Sequence, residues 1–249
     1  MQKVFPLDAR SSVDRLESSF PLREVQKEES DLKPYYEHGG ITIYHCDCRE
    51  ILPTAAKVDL VLTDPPYGIN WSRGLNNKRG SKMHSGIVGD KDTSIRDLIL
   101  AIYESTPALV FGSFYAAFPQ NVKQVLIWKK PPDSGLVGSV TGIRRDAEPI
   151  FMCGEWSTKI VERSSIFNSS RGISAVTTET GHPHTKPLDI LLQLIKIAPD
   201  GLILDPFMGS GTTLRAAKDL GRYAIGIEIE EKYCEIAAKR LSQEVLQFE

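Results

Sequence analysis

Hydrophobic and polar positions alternate along this chain with two different periods, and each change of period marks an element. Residues 41–45 alternate apolar and polar as a half-buried strand does. Residues 58–62 form an apolar run, interrupted only by Asp59, that ends in Thr63-Asp64-Pro65-Pro66, the pattern of a buried strand stopped by a Pro-Pro breaker. A brief helical turn between them, after Cys46-Asp47-Cys48, is expected to end near Pro53. Residues 93–105 put Ile95, Leu98, Ile99 and Ile102 at helical spacing and predict an amphipathic helix with those four on its buried face. Short apolar runs at 108–111, 125–128 and 149–153 predict three more strands. From Lys186 onward the alternation becomes regular. Pro187 is placed to open a helix at its first turn, with Leu188, Leu191, Leu192, Ile195 and Ile197 as its apolar face. A strand at 202–204, a helix at 212–220 stopped by Gly221, a strand at 223–227 and a helix at 231–241 complete the series. Strands and helices in this order predict an α/β fold, a doubly wound and mostly parallel sheet with helices on both faces.

Three stretches have no such period. Residues 1–35 are polar and mixed in charge, and are expected to form an extension with at most one short helix and some disorder. Residues 68–90 are rich in Gly, Asn and Ser and carry Arg73, Lys78, Arg79 and Lys82 beside Trp71 and His84. A long basic loop with an aromatic residue suits contact with a phosphate backbone; a solvated loop is the plainer alternative. Residues 154–181 are irregular, with Arg163 and Arg171, and are the candidate for a small recognition insert. The expected organisation is therefore an extension at 1–35 and one domain at 36–249. That domain has a first half at 40–153, the insert at 154–181 and a second half at 182–241.

Composition narrows the classes. With 249 residues and 41% hydrophobic content the chain can bury a large core. The net charge of −2 does not mark a nucleic-acid binder, but binding faces are local and whole-chain charge is a weak guide. No segment approaches the ~18 unbroken apolar residues of a membrane span, and residues 1–10 lack a signal-type apolar run, so no membrane partner is expected. Cys46, Cys48, Cys153 and Cys234 form no CxxC pair and read as reduced thiols of a cytoplasmic protein. His182 and His184 have no nearby Cys or carboxylate pair, so no metal is expected.

Two constellations carry chemistry. In Asp64-Pro65-Pro66-Tyr67 an acceptor and stiff carbonyls stand beside an aromatic plate, which suits a planar ring bearing an exocyclic amine. In Asp205-Pro206-Phe207-Met208-Gly209-Ser210-Gly211-Thr212-Thr213 a strand leads through a Gly-rich turn into a helix. Leu214 stands where a dinucleotide fingerprint needs its third glycine, and no Walker motif occurs. The leading Asp205 suits a ligand ammonium better than a phosphate. Glu228, about 20 residues on at the end of the next strand, is where doubly wound folds grip ribose hydroxyls. An ammonium and a ribose without a phosphate cradle describe S-adenosylmethionine. A helix cap for Asp205 and a surface acid for Glu228 are the plainer roles.

With these residues the chain resembles the amino-methylating (N6-adenine/N4-cytosine) DNA methyltransferases in their permuted β arrangement, where the catalytic motif precedes the cofactor motif. The resemblance spans residues 40–241. It rests on Asp64-Pro65-Pro66-Tyr67, His182-Pro183-His184-Thr185-Lys186-Pro187, the Asp205–Thr213 turn and Gly226-Ile227-Glu228 in that order. It implies the S-adenosylmethionine-dependent methyltransferase fold, with the catalytic half first and the cofactor half second. Asp64 and the Pro65 carbonyl would accept from the target amine, beside Pro66, and Tyr67 would stack on the extruded base. Asp205, Phe207, Gly209, Ser210, Gly211 and Thr212 would surround the methionine end of the cofactor. Glu228 would take the ribose, Asp47 the adenine, and Lys186 would border the cofactor. Arg73, Lys78, Arg79 and Lys82 would hold the opened DNA backbone.

The implied reaction is methyl transfer to adenine N6 in duplex DNA by base flipping. The alternative is cytosine N4; an RNA methylase or a silent DNA-binding module stands further off. The family also implies a bacterial or phage-encoded cytoplasmic protein. By analogy alone it adds a second copy of the chain and a cognate restriction endonuclease as partners. The short insert and the extension before Lys33 depart from the family pattern.

Overall fold

The computed structural model describes residues 33–52, 57–69, 89–131, 146–157, 164–170 and 185–243, all within one compact unit, Leu32–Glu249. The expected extension, the four basic residues Arg73, Lys78, Arg79 and Lys82, His182, His184 and most of the expected insert lie outside the described residues.

The elements in chain order are β1 (Tyr36–His38), β2 (Ile41–His45), α1 (Cys48–Ile51), β3 (Leu60–Thr63), α2 (Ser94–Ile102), β4 (Ala108–Phe111), β5 (Gln124–Lys129) and β6 (Ala147–Cys153). There follow β7 (Ile166–Asn168), α3 (Leu188–Ile197), β8 (Ile203–Asp205), α4 (Thr212–Asp219), β9 (Ala224–Glu228) and α5 (Glu231–Ser242). The strands form one sheet in the order β1-β2-β9-β8-β3-β4-β6-β5-β7. From β2 to β4 all neighbours are parallel. β6 returns antiparallel between β4 and β5, and β7 pairs parallel with β5 at one edge. β1 pairs antiparallel with β2 at the other edge. The sheet is thus mostly parallel, as expected.

Period-2 burial divides the core between the two faces. Leu60, Leu62, Leu109 and Phe111 point toward α3, α4 and α5, packing with Ile190, Leu194, Leu214, Ala217 and Ala237. Val61, Ala108 and Val110 point the other way, toward Ile51 of α1 and Ile99 of α2. Both faces are covered, which is why the central strands read as unbroken apolar runs. All four cysteines are free. Burial pushes the Cys48 and Cys234 thiols up to about 12, so they stay protonated and inert at neutral pH. None of the described helices is long and apolar enough to cross a membrane.

The chain winds in opposite directions on either side of the β8–β3 pair. β8–α4–β9 steps toward β2, whereas β3–α2–β4 steps toward β6. The crevice outside the carboxyl ends of β8 and β3 is therefore the topological switch point, where open α/β sheets bind ligands.

Four expectations need correction. The buried stripe of α2 is Arg96 and Ile99, flanked by half-buried Ile95 and Leu100, while Leu98 and Ile102 are each 43% exposed. Arg96 is held inward because its guanidinium donates to the Ala117 carbonyl at 2.7 Å, so the stripe is rotated from the one that apolar residues alone suggested. Pro187 caps α3 in an extended conformation, and the helix starts one residue later. Part of the irregular 154–181 stretch is strand: β7 lies on the sheet edge, where the buried Trp128 indole N–H donates to Ser169 at 2.9 Å. Glycine at 211 serves packing and conformation rather than ligand approach. Its φ is +77°, and a Cβ there would meet the Ala237 methyl of α5 at 2.7 Å.

Candidate active site

Two acidic strand ends floor one cavity. Asp205 is the last residue of β8, and Thr63, the last of β3, donates its hydroxyl to Asp205 Oδ1 at 2.8 Å. The Phe207 N–H donates to the same oxygen at 3.1 Å, and Thr213 adds another hydroxyl. Asp205 is only 2% exposed, and among the described residues it forms no ion pair with a cationic side chain. Burial outweighs its hydrogen bonds and pushes its pKa up to about 6.

Asp64 follows Thr63 directly and faces a different set of groups. The Tyr67 hydroxyl donates to Asp64 Oδ1 at 2.6 Å, and the Lys186 ammonium donates to Oδ2 at 2.6 Å. Lys186 Nζ also reaches the Tyr67 oxygen at 3.1 Å. Burial alone would lower the Lys186 pKa, but the Asp64 and Glu148 carboxylates hold it above the ordinary lysine value. Burial, with the Asp64 and Glu148 charges adding to it, raises Tyr67 well above an ordinary tyrosine, so the phenol stays a donor. Pro65 and Pro66 are buried and rigidify the corner. Gly68 leaves it at φ +72°, where a Cβ would strike the Asp92 backbone at 2.7 Å, and its N–H is pinned by Asp90 at 2.8 Å.

Glu228 ends β9. Its Oε2 accepts from the Gly209 N–H at 3.1 Å and its Oε1 from the Glu230 N–H at 2.8 Å. Burial raises its pKa against those bonds. The Thr185 and Ser210 hydroxyls share a hydrogen bond at 3.0 Å, tying the segment before α3 to the Gly-rich turn.

A cavity of about 390 Å³ joins these groups; Asp64, Pro65, Pro66, Tyr67, Lys186, Asp205, Phe207, Gly209, Ser210, Thr212 and Glu228 all line it. Two expected site residues do not. Gly211 lies behind the turn, as described. Asp47 caps α1, accepting from the Arg49 N–H at 2.9 Å, and hydrogen bonding from the Arg49 side chain holds its carboxyl below the usual range. Lys186 lines the cavity, but its ammonium is on Asp64 rather than on either cofactor acid. Sequence reasoning passed over Thr63, although it precedes Asp64 directly. It also missed Glu148 and Phe111, which carry no local motif and reach the cavity only through the pairing of β4, β5 and β6.

A doubly wound sheet with an acid-floored cavity over its switch point is the architecture of the S-adenosylmethionine-dependent methyltransferase class. Comparison with known proteins narrows the class. A model of the N6/N4 DNA methylase family matches residues 58–239. The chain is 26% identical over 272 residues to the type II methyltransferase M.ScaI of Streptomyces caespitosus, covering 85% of this chain and 84% of that one. It is 29% identical over 251 residues to the type II methyltransferase M.HinfI of Haemophilus influenzae, covering 81% and 68%. The crystal structure of the M1.HpyAVI–SAM complex superposes with a TM-score of 0.55 at 25% identity, covering 81% of this chain and all of that one. The chain belongs to the N6/N4 DNA methylase family.

Proposed function

We propose that the protein transfers a methyl group from S-adenosylmethionine to the exocyclic N6 amine of adenine in duplex DNA. The observation that carries this reading is that Asp64 and Asp205 open into one cavity in a chain of this family. The cavity suits the cofactor on its own terms. Asp205 is a buried carboxylate without a cationic partner among the described residues, and a ligand ammonium would supply one. The Glu228 oxygens accept from backbone N–H groups, among them those of Gly209 and Glu230, and two carboxylate oxygens have lone pairs left for ribose hydroxyls. Phe207 and Ile229 give the cavity apolar walls near these acids.

The cofactor's sulfonium supplies an electrophilic methyl group. The residues of the chain prepare the nucleophile. An amine conjugated with its ring is a poor nucleophile, because its lone pair is delocalised. Acceptance of its two hydrogens by Asp64 and the Pro65 carbonyl favours a pyramidal nitrogen and stabilises the positive charge that grows there. Tyr67 fixes the ring plane, and orientation of this kind contributes several kcal/mol. The nitrogen would use its lone pair to form the new bond to the methyl carbon as the carbon–sulfur bond breaks and its electron pair stays on sulfur as a neutral thioether. The nitrogen's surplus proton would pass to Asp64 and on to solvent. The base must leave the duplex to reach this corner, at a cost of a few kcal/mol. Arg73, Lys78, Arg79 and Lys82 would hold the opened backbone. Four free thiols, three of them buried, support a cytoplasmic setting.

Expression in a host without endogenous methylation, digestion of its DNA to nucleosides and mass analysis test the reading. N6-methyladenine is the expected product. N4-methylcytosine would move the target to the other amine of the family, and unmodified DNA would overturn the reading.

A further inference from the structure

Glu148 is a half-buried carboxylate with no part in that chemistry. It lies on β6 opposite Trp128 of β5, and its side chain is 18% exposed. Its Oε1 is ion-paired with Lys130. Its Oε2 is buried, accepts no hydrogen bond among the described residues, and stands 3.7 Å from Lys186 Nζ. That ammonium is enclosed. The Lys186 side chain is 8% exposed, and its Nζ sits 5.6, 5.0 and 5.9 Å from the ring centroids of Tyr67, Phe111 and Trp128.

Lys186 donates to Asp64 Oδ2 and to the Tyr67 oxygen. Asp64 is also where an incoming amine must donate. A cationic donor of the chain therefore already takes a lone pair of the oxygen that the target amine would use, and its charge opposes the positive charge that grows on that amine. A buried ammonium cannot give up its carboxylate cheaply unless another is at hand. Glu148 is that second carboxylate: its Oε2 already stands within ion-pair range of Lys186 Nζ at 3.7 Å and accepts no closer hydrogen bond among the described residues.

We propose that Lys186 stands in for the target amine when no base is bound, and that Glu148 is the positioning residue that receives its ammonium when a base arrives. The handover frees Asp64 Oδ2 and moves no proton. Two lysines, Lys130 and Lys186, face two carboxylates, Asp64 and Glu148, before and after it. Lys186 stays within the same aromatic enclosure, so the shift is small. The proposal rests on the amine-methylation reading and adds how the acceptor becomes available.

Glu148→Gln keeps the shape of the side chain and withdraws its charge. The test uses the full chain and a duplex carrying its mapped modification site, with 2-aminopurine beside the target base to report unstacking. Glu148→Gln is expected to lower kcat and the unstacking signal by about tenfold or more, with the Kd for S-adenosylmethionine within about twofold. Glu148→Asp should restore part of the loss. In a Lys186→Met background, where nothing has to be handed over, Glu148→Gln should change the unstacking signal by less than about twofold. Parental kcat in Glu148→Gln, or the same fold loss in both backgrounds, would overturn the proposal. Absence of methyl transfer by the parent chain would overturn the function reading beneath it, which the parent control shows separately.

Discussion

The two acids at the switch point share a cavity but meet their charges differently. Asp64 carries its own cation, with Lys186 at 2.6 Å and the Tyr67 hydroxyl on its other oxygen. Among the described residues Asp205 meets only uncharged donors, and burial pushes it up to about 6. One carboxylate is electrostatically complete within the protein; on the proposed reading a ligand cation would complete the other. A complete acid can be kept in place as an acceptor for catalysis. An incomplete one is a source of binding energy, because a cationic ligand relieves the cost of its burial.

The largest effect should come from the complete acid. Asp64→Ala is expected to lower turnover by about a thousandfold, the scale of losing a charge-stabilising acceptor in a dry site, with cofactor affinity within a few-fold. Single-turnover methylation beside calorimetry separates the two. Near-normal turnover would remove the role given to Asp64.

Asp205 should behave in the opposite way. Asp205→Asn is expected to weaken cofactor binding by about a hundredfold, as expected when one partner of a buried charge pair is lost. Without ligand, the same variant should be more stable than the parent at pH 8. In the folded parent this carboxyl binds its proton more tightly than in the unfolded chain, where its value is near 3.8. Ionisation therefore costs the fold stability as pH rises through about 4 to 6, to a total of about 3 kcal/mol. The asparagine variant escapes that cost, and the gap should close below about pH 4. Denaturant unfolding at both pH values reads it.

Glu228→Ala should cost about tenfold in cofactor affinity, through ribose bonds that a neutral hydroxyl makes. Tyr67→Phe should be mildest. It removes one donor to Asp64 and leaves the ring, so turnover should fall by only several-fold while base stacking persists.

What the sequence revealed follows the range of the interactions. Asp64 and Asp205 each end an apolar run beside a breaker or a Gly-rich turn, Glu228 ends the apolar run 223–227, and such patterns are local. Helix α5 and strand β2 were legible for the same reason. The handover partner Glu148 lies in Ala147-Glu148-Pro149, which has no motif. It reaches Lys186 only because β6 folds back between β4 and β5. Asp47 is assigned to the adenine by resemblance alone; its contact with Arg49, two residues on, caps α1 and has no signal in that resemblance. The face of α2 was misread because a buried arginine, satisfied by a distant carbonyl, looks polar to any periodicity rule.

The most direct test of the contrast between the two acids is calorimetric titration of S-adenosylmethionine into the parent and Asp205→Asn proteins from pH 7 to pH 5. Asp205 should take up its proton with a midpoint of about 6, so parental affinity should fall by about tenfold across that range. The asparagine variant should bind weakly and without that dependence. Parental affinity that stays flat, or an asparagine variant that binds as tightly as the parent, would contradict the account.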